Sequence, residues 1–261
     1  MKLYRIYGII LRHVYLFKHS INRWSDAIYW PTIDLLLWGL TISFVKSVSP
    51  NSYDVVFMVI SGILLWIIIW RGQYEISVNI LEELWNRNLI NLFATPLKFS
   101  EWIVALVSLS IIKATLSLSF AAAVAFILYK VRLFAFGFYL IPFALLLFMT
   151  GWCVGFLVAG LILRFGSKVE QFAWSALYIF APFSAIFYPL SILPDWAQKF
   201  ALLIPTSYVF EGAREVMQKG YLDPSKLVIS FILNTIYLIL ALFFFKRSFD
   251  KALKKGLVKI Y

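Results

Sequence analysis

The sequence predicts an all-α membrane protein with six transmembrane helices, organised as a single domain over residues 1–261. Hydrophobic residues make up 62% of the chain, whereas soluble domains contain roughly 45–50%. Apolar stretches long enough to cross a bilayer recur along the chain, and basic residues gather beside them. A chain of 261 residues leaves no room for a large soluble catalytic domain beside such spans.

Residues 1–24 predict an amphipathic helix that lies on the membrane surface. Their basic residues are spread along the stretch, whereas a cleavable signal peptide would gather them before an uninterrupted apolar core. Long basic side chains and aromatic rings are typical of helices at the headgroup level. We expect the histidines of this helix, His13 and His19, to face headgroups or solvent.

Six stretches are apolar and approach or exceed the roughly 20 residues that a spanning helix needs. They are residues 27–45, 54–70, 102–129, 136–163, 171–190 and 227–245. In the fourth stretch, Gly151, Gly155 and Gly160 permit close helix contact, either within the chain or between two copies of it.

Two ionisable residues interrupt these spans, Asp34 in the first and Lys113 in the third. A charge in the hydrocarbon core costs at least about 2.5–3.5 kcal/mol, so each is a candidate for function. One hypothesis is that the two residues line a polar path or pair with each other. The alternative is that Lys113 extends toward the interface or bonds a carbonyl group while Asp34 lies near the interface.

The distribution of charge predicts the orientation of the chain. With six spans both termini share a side, and most of the 24 Lys and Arg residues fall on that side. By the positive-inside rule this side is the cytoplasm. We therefore expect a multi-pass protein of the inner (plasma) membrane with both termini in the cytoplasm.

A polar stretch, residues 75–101, separates the second and third spans on the cytoplasmic side. Its spacing predicts an amphipathic helix in which Glu83 and Arg87 lie four residues apart, in the favourable acid-then-base order. Thr95 precedes Pro96 and ends the helix, because a residue before proline avoids the α region. Spacing alone leaves two interpretations, a helix that rests on headgroups or an element on which a partner docks.

Residues 191–224, on the outer side before the last span, predict two short helices that dip into the membrane. The stretch is too polar and too rich in proline for a full span, and too apolar for a solvated loop. Asp195 would start the first helix, and Thr206 or Ser207 would cap the second after Pro205. Along the second helix, Glu211, Arg214 and Glu215 are spaced to pair.

Motifs for catalysis are missing from the sequence. It contains neither the GxxxxGK[ST] phosphate loop nor the HExxH zinc motif. The single cysteine, Cys153, has no partner for a disulfide or a metal site. The net charge of +11 lies beside spans rather than on a soluble fold, which argues against nucleic-acid binding. We expect no cofactor in this chain, and any work against a gradient would draw its energy from another subunit.

Two stretches resemble the membrane permease of type-two ABC exporters. The first reads EELWNRNL over 82–89 and continues as ATPL over 94–97, with Glu101 shortly after. The second reads LPDW over 193–196 and PTSYVFEGAR over 205–214. The surface helix, the six spans, the re-entrant pair and the basic C-terminus resemble the same family.

The resemblance implies a homodimer, or a pair of related permeases, that carries two cytoplasmic ATPase subunits. The region 75–97 would be the coupling helix, with Glu82, Glu83, Leu84 and Arg87 at the ATPase. ATP and magnesium would bind in that partner. Members of the family move polysaccharides, lipid-linked glycans, drugs, peptides or haem-type cargo, and residues 13–39 do not match the polysaccharide exporters. The residues that correspond to the outer signature are Pro194, Trp196, Pro205, Tyr208, Glu211 and Arg214.

Two other classes of function need features that the sequence lacks. A stand-alone secondary transporter or channel would need a coupling-ion site, ideally between inverted repeats. An intramembrane enzyme would need converging acid, base or nucleophile groups at membrane depth. Asp34 and Lys113 alone give either class little support.

Overall fold

The structure is a computed structural model that describes residues 1–48 and 53–254. All regular secondary structure in these residues is helical. The α-helices are α1 (Leu3–Lys18), α2 (Ile21–Val48), α3 (Tyr53–Trp85), α4 (Leu89–Ala94), α5 (Phe99–Tyr129), α6 (Leu140–Phe165), α7 (Phe172–Ser175), α8 (Asp195–Ala201), α9 (Pro205–Lys219) and α10 (Pro224–Lys254). Short 3₁₀ helices cover Leu133–Tyr139, Gly166–Val169, Ala176–Ile179, Ala181–Phe183 and Leu190–Ile192.

Five helical stretches in the described chain are long and apolar enough to cross a membrane. Five of the six predicted spans lie largely within them. The five stretches are Ile21–Ser47, Val56–Trp85, Phe99–Tyr129, Leu133–Val169 and Pro224–Lys254. The chain is therefore a multi-pass membrane protein.

The predicted span at residues 171–190 is wrong as a continuous helix. One turn of α-helix, α7, gives way to 3₁₀ turns, and Ala185 adopts a positive φ of 56°. Pro182 and Pro189 contribute to the interruption, because proline cannot donate the backbone hydrogen bond of a helix interior.

This irregular segment nevertheless follows α3 over much of its length. Near its start, the carbonyl oxygen of Ala173 accepts a hydrogen bond from Gln73 Nε2 at 2.9 Å. Near its end, the carbonyl of Ile186 lies against Gly62. Gln73 and Gly62 are separated by about 16 Å along the helix axis, at 1.5 Å per residue.

The sequence predicted that the polar stretch 75–97 forms a helix of its own, but in the structure it does not. Residues 75–85 continue the membrane span as the last three turns of α3, which is 33 residues long. The helix ends at Trp85, since Arg87 takes the left-handed conformation with φ 50°. What remains as a separate helix is α4, six residues that end where Thr95 turns to extended backbone before Pro96.

The backbones of α3 and α6 meet at glycines in the centre of the bundle. A Cβ atom on Gly151 would lie 2.6 Å from the carbonyl oxygen of Ile69, and one on Gly155 would lie 3.0 Å from Ile76. Gly160, one turn further along α6, faces Phe244 of α10. All three glycines serve contacts within the chain.

Both ends of the described chain lie at one end of the bundle, which we call the basic end. Arg5 of α1 reaches Glu101 at the start of α5, with 3.4 Å between the charged atoms. Near the other end of the chain, the ring of Phe249 in α10 packs against Phe93 and Phe99 at centroid distances of 4.6 and 4.8 Å. The helices α8 and α9 lie at the opposite end, where Arg214 contacts Met58 near the start of α3.

The two short helices predicted within 191–224 are α8 and α9. The first starts at Asp195 as expected. The second starts at Pro205, so Thr206 and Ser207 lie in its first turn rather than at the cap. The Ser207 hydroxyl instead bonds the carbonyl oxygens of Ala201 and Ile204, which ties the two helices together.

Candidate functional site

The connection between α3 and α5, residues 85–98, is held by apolar anchors and exposes a polar surface. We call it the α4 loop. Leu89 is 1% exposed, and the ring of Phe93 packs against Trp102 at 5.0 Å. These contacts, together with those of Leu92 and Leu97, fix the loop against the bundle. The exposed residues are Trp85, Asn86, Arg87, Ile90, Asn91, Ala94, Thr95, Pro96 and Lys98.

Three arginines of α1 and α2 bind three glutamates that flank the α4 loop. Arg12 lies 2.7 Å from Glu83, and Arg23 forms a similar pair with Glu82. Arg5 pairs with Glu101 on the far side of the loop. We call this set of three pairs the arginine clamp.

Each end of the clamp is reinforced by further hydrogen bonds. Glu83 also accepts a bond from Asn88 Nδ2 at 2.6 Å, which secures the turn after α3. The Glu101 carboxylate accepts bonds from the backbone N–H groups of Lys2 and Lys98, at 2.7 and 3.0 Å. The N-terminal helix is therefore fixed to both ends of the loop.

The clamp changes the interpretation of the residues predicted to dock a partner. The resemblance placed Glu83 and Leu84 at the ATPase, but they are 5% and 2% exposed, so neither faces outward. Glu82 is half-buried and paired with Arg23. Among the predicted docking residues, Arg87 is the one that lies fully on the exposed surface. The docking role itself stays a prediction.

His13 is buried, against the expectation that it faces headgroups or solvent. It is 3% exposed, and its Nδ1 has no hydrogen-bond partner. Burial lowers the pKa of its imidazole to about 3, and the nearby charges of Lys113, Arg12 and Arg23 act in the same direction. A buried histidine whose neutral form is favoured therefore lies beside the clamp.

Polar side chains are buried along α3 beyond the clamp, on two faces of the helix. Arg71, Glu75 and Asn79 share one face, and Gln73 and Ser77 share the other. The Glu75 carboxylate lies 3.4 Å from Arg71 and 3.3 Å from Asn79 Nδ2. It also binds Lys113 of α5. The hypothesis that Lys113 pairs with Asp34 is therefore wrong, because its ion pair is with Glu75, which is itself buried.

The start of α2 is tied to α3 beside Glu75. Tyr74 donates its hydroxyl to the Asp26 carboxylate at 2.8 Å, and Arg71 bonds the Asp26 carbonyl oxygen. Two turns further along α2, Asp34 is exposed and faces a cleft of about 570 Å³ between α2, α3 and residues 171–178. We call this space the aromatic cleft. Its rings are Trp30, Trp66, Trp70, Tyr74, Trp174 and Tyr178.

At the opposite end of the bundle, α9 holds the end of the irregular segment. Arg214 pairs with Glu211 at 2.7 Å, as the spacing predicted, and donates to the Ala185 carbonyl at 2.8 Å. Glu211 accepts the backbone N–H of Leu190 at 2.9 Å. Glu215 binds Lys226 and Lys219 rather than Arg214.

The other residues of the outer signature are structural or exposed. Tyr208 donates its hydroxyl to the Leu202 carbonyl at 2.9 Å, and Pro205 starts α9. Pro194 precedes α8, where Trp196 is 67% exposed.

Sequence reasoning missed the arginines of the clamp and the role of Glu75. A signal was present, because Arg5 and Arg12 are seven residues apart and therefore share one face of a helix. The acidic partners lie about 60 to 100 positions away in the sequence, and spacing alone does not connect them. Among the residues that the structure describes, no group of three or more His, Cys, Asp or Glu side chains is placed to hold a metal ion.

No curated protein matches this sequence closely enough to count as a relative. The family model described as ABC-2 type transporter matches residues 14–217, which include Arg23, the α4 loop and the whole of α8. This match spans most of the chain and agrees with the bundle of long apolar helices. The chain therefore belongs to the ABC-2 type transporter family, whose members are the membrane components of ABC transporters.

Proposed function

We propose that this chain is the permease subunit of an ATP-driven exporter, and that separate ABC ATPase subunits dock on the α4 loop. A second permease, either an identical copy or a related chain, would complete the transport path. ATP and magnesium would bind in the ATPase. The observation that carries the proposal is an exposed loop held on both sides by the arginine clamp in a protein of the ABC-2 family.

The proposed topology has six crossings of the inner (plasma) membrane, with both termini in the cytoplasm. Five long helices alone would leave the two ends of the chain on opposite sides, yet Arg5 and Phe249 contact neighbouring residues at the basic end. The irregular segment along α3 would supply the sixth crossing. The excess of Lys and Arg at the basic end favours the cytoplasm for that end.

The proposed docking surface is the outward face of the α4 loop rather than the end of α3. Asn86, Arg87, Ile90 and Asn91 are exposed there and mix polar with apolar groups. Glu82 and Glu83 would act indirectly, because their pairs with Arg23 and Arg12 hold the loop in place.

The same connections offer a path for coupling. The loop follows α3 directly, so a force on the loop is applied to a membrane-crossing helix of 33 residues. The clamp passes the same force to the start of α2 through Arg23. Since α2 and α3 form two walls of the aromatic cleft, closure of the ATPases would move the walls of the proposed transport path.

The test is assembly with a co-expressed ATPase. In the variant Arg87→Asn combined with Ile90→Ala, asparagine keeps the left-handed backbone of residue 87. We expect at least about a tenfold loss of ATPase affinity, because exposed contacts at the centre of an interface carry most of its energy. The matched control is Lys219→Asn, which changes an exposed basic residue at the opposite end of the bundle.

The two variants separate docking from a general loss of folding. If the loop variant binds the ATPase as well as the control does, the docking surface lies elsewhere. If the purified chain transports cargo in vesicles without any ATPase, the stand-alone carrier is the correct class and the exporter proposal fails.

A further inference from the structure

The aromatic cleft has the size and walls of a site for a small organic ligand. Its volume of about 570 Å³ lies within the 300–1,000 Å³ that is common for ligand pockets. Six aromatic rings line it, and two of them form a continuous wall, with Trp70 packed against Tyr178 at 5.4 Å. Ligands that meet these walls would have to be largely apolar.

Two of the three charged side chains that line the cleft have polar partners. Arg71 shares the Glu75 carboxylate with Lys113, and the Asp26 carboxylate accepts the hydroxyl of Tyr74. Asp34 forms no hydrogen bond or ion pair with any residue that the structure describes. Asp34 is therefore the carboxylate at the cleft that is open to a ligand, although the whole chain carries a net charge of +11.

Neutral polar groups are few in the cleft. Its lining includes Gln171 and Ser175, and the Ser175 hydroxyl is already donated to the Gln171 carbonyl at 2.9 Å. A sugar would stack on the rings but would leave most of its hydroxyl groups without side-chain partners and would make no use of the charge on Asp34. An anion would be repelled by the same carboxylate.

We propose that the aromatic cleft binds an amphipathic organic cation, such as a quaternary ammonium or phosphonium compound or a protonated aromatic amine. The cation would lie against Asp34 and over the faces of the surrounding rings, whose quadrupoles attract positive charge. Its apolar groups would fill the rest of the cleft. The proposal rests on the proposed function only in treating this ligand as the exporter's cargo, since binding itself needs no ATPase.

The test compares two probes of the same shape and opposite charge, tetraphenylphosphonium and tetraphenylborate. Equilibrium binding is measured on the purified full-length chain in lipid nanodiscs, without ATPase. We expect the phosphonium to bind specifically, and Asp34→Asn to weaken its binding at least about tenfold, because the substitution removes the charge and keeps the shape. Asp250→Asn, which removes a carboxylate from the end of α10, is the matched control and should leave binding unchanged.

A second substitution tests the aromatic wall. Trp70→Leu keeps an apolar side chain but removes the ring face, and we expect it to weaken phosphonium binding while a single folded species is retained. Equal binding of the two probes, or phosphonium binding that is insensitive to both Asp34→Asn and Trp70→Leu, would show simple partition into apolar surface and overturn the proposal. Specific binding of a neutral oligosaccharide in place of the cation would overturn it as well.

These outcomes are independent of those for ATPase docking. A chain that binds the cation but no ATPase supports the cleft and refutes the exporter. A chain that assembles with an ATPase and hydrolyses ATP, but does not distinguish the two probes, refutes the cleft alone.

Discussion

Glu75 of α3 holds Lys113 of α5 in an ion pair inside the helix bundle, and the same carboxylate lies 3.4 Å from Arg71. One anion thus serves two cations. The side chains of Glu75 and Arg71 are each 3% exposed, and that of Lys113 is 11% exposed. An ion at this depth persists only with a partner, so the three side chains form one unit.

The substitution Glu75→Gln should destabilise the protein more than Lys113→Met does. Loss of the carboxylate leaves two buried cations without a counterion, and breaking a buried pair in this way costs about 3–5 kcal/mol. After Lys113→Met, Glu75 still has Arg71 as its partner. The measurement is the free energy of unfolding of both variants in the same detergent.

Asp250→Asn is the control for that comparison. It removes one member of the exposed pair with Lys246, and such pairs contribute about 0–1 kcal/mol. An equal loss of stability from Glu75→Gln and Lys113→Met would mean that Arg71 does not share the carboxylate.

The pair between Arg12 and Glu83 should fix α1 to the end of α3. Reversal of one charge alone, Arg12→Glu, places two carboxylates side by side and should loosen α1. Adding Glu83→Arg restores opposite charges and should recover about 1 kcal/mol, a modest value because the Arg12 side chain is 38% exposed. The readout is hydrogen exchange of the α1 amides.

Reversal of Lys226, which pairs with Glu215 at the opposite end, serves as the comparison and should leave exchange in α1 unchanged. Protection of α1 that is the same in the single and double variants would show that apolar contacts of Ile6 and Ile9, rather than the ion pair, hold the helix.

The prediction for His13 concerns pH. Burial lowers the pKa of this imidazole to about 3 from 6.5, so the folded protein disfavours the protonated form. The unfolded chain binds a proton first as pH falls, and stability is therefore complete above about pH 6.5 and declines below it, by at most about 1.4 kcal/mol per pH unit. Thermal unfolding between pH 8 and pH 5 measures the decline.

His13→Gln should flatten that dependence, because glutamine does not titrate. His19→Gln is the matched control, since His19 is exposed at the end of α1 and its ring bonds the Tyr15 carbonyl. A wild-type stability that does not change between pH 6.5 and pH 5 would contradict the burial of a neutral His13.

The long apolar elements could be predicted from the sequence because their signal is local. A run of apolar residues specifies a membrane-crossing helix wherever it occurs, and α2, α5 and α10 each contain a predicted span. The structure of the irregular segment was harder to predict, because residues 171–190 match α-helical spans in composition. Its 3₁₀ turns are stabilised instead by distant partners such as Arg214, whose side chain bonds the Ala185 carbonyl.

Local features of the candidate site could be predicted from the sequence, but its tertiary contacts could not. The break before Pro96 is local and was found, as was the pairing of Glu211 with Arg214 one turn apart. The end of α3 at Trp85 was missed, because continued apolar burial of Ile80, Leu81 and Leu84 extends the helix past the polar residues. The partners of Glu83 and Lys113 depend on tertiary packing and cannot be predicted from residue spacing.

The close crossing of α3 and α6 leads to the last prediction. Gly151→Ala adds one methyl group, and that group would lie 2.6 Å from the Ile69 carbonyl oxygen and 3.1 Å from the backbone nitrogen of Gln73. Because these atoms belong to a helix backbone, the two helices must move apart, and such overpacking costs about 1–3 kcal/mol. In α1, Gly8→Ala meets nothing within 4 Å and should stabilise its helix by up to about 1 kcal/mol. The two variants make the same chemical change in a helix, so opposite shifts in the midpoint of thermal unfolding are expected. A Gly151→Ala protein as stable as the wild type would mean that α3 and α6 do not meet at this glycine.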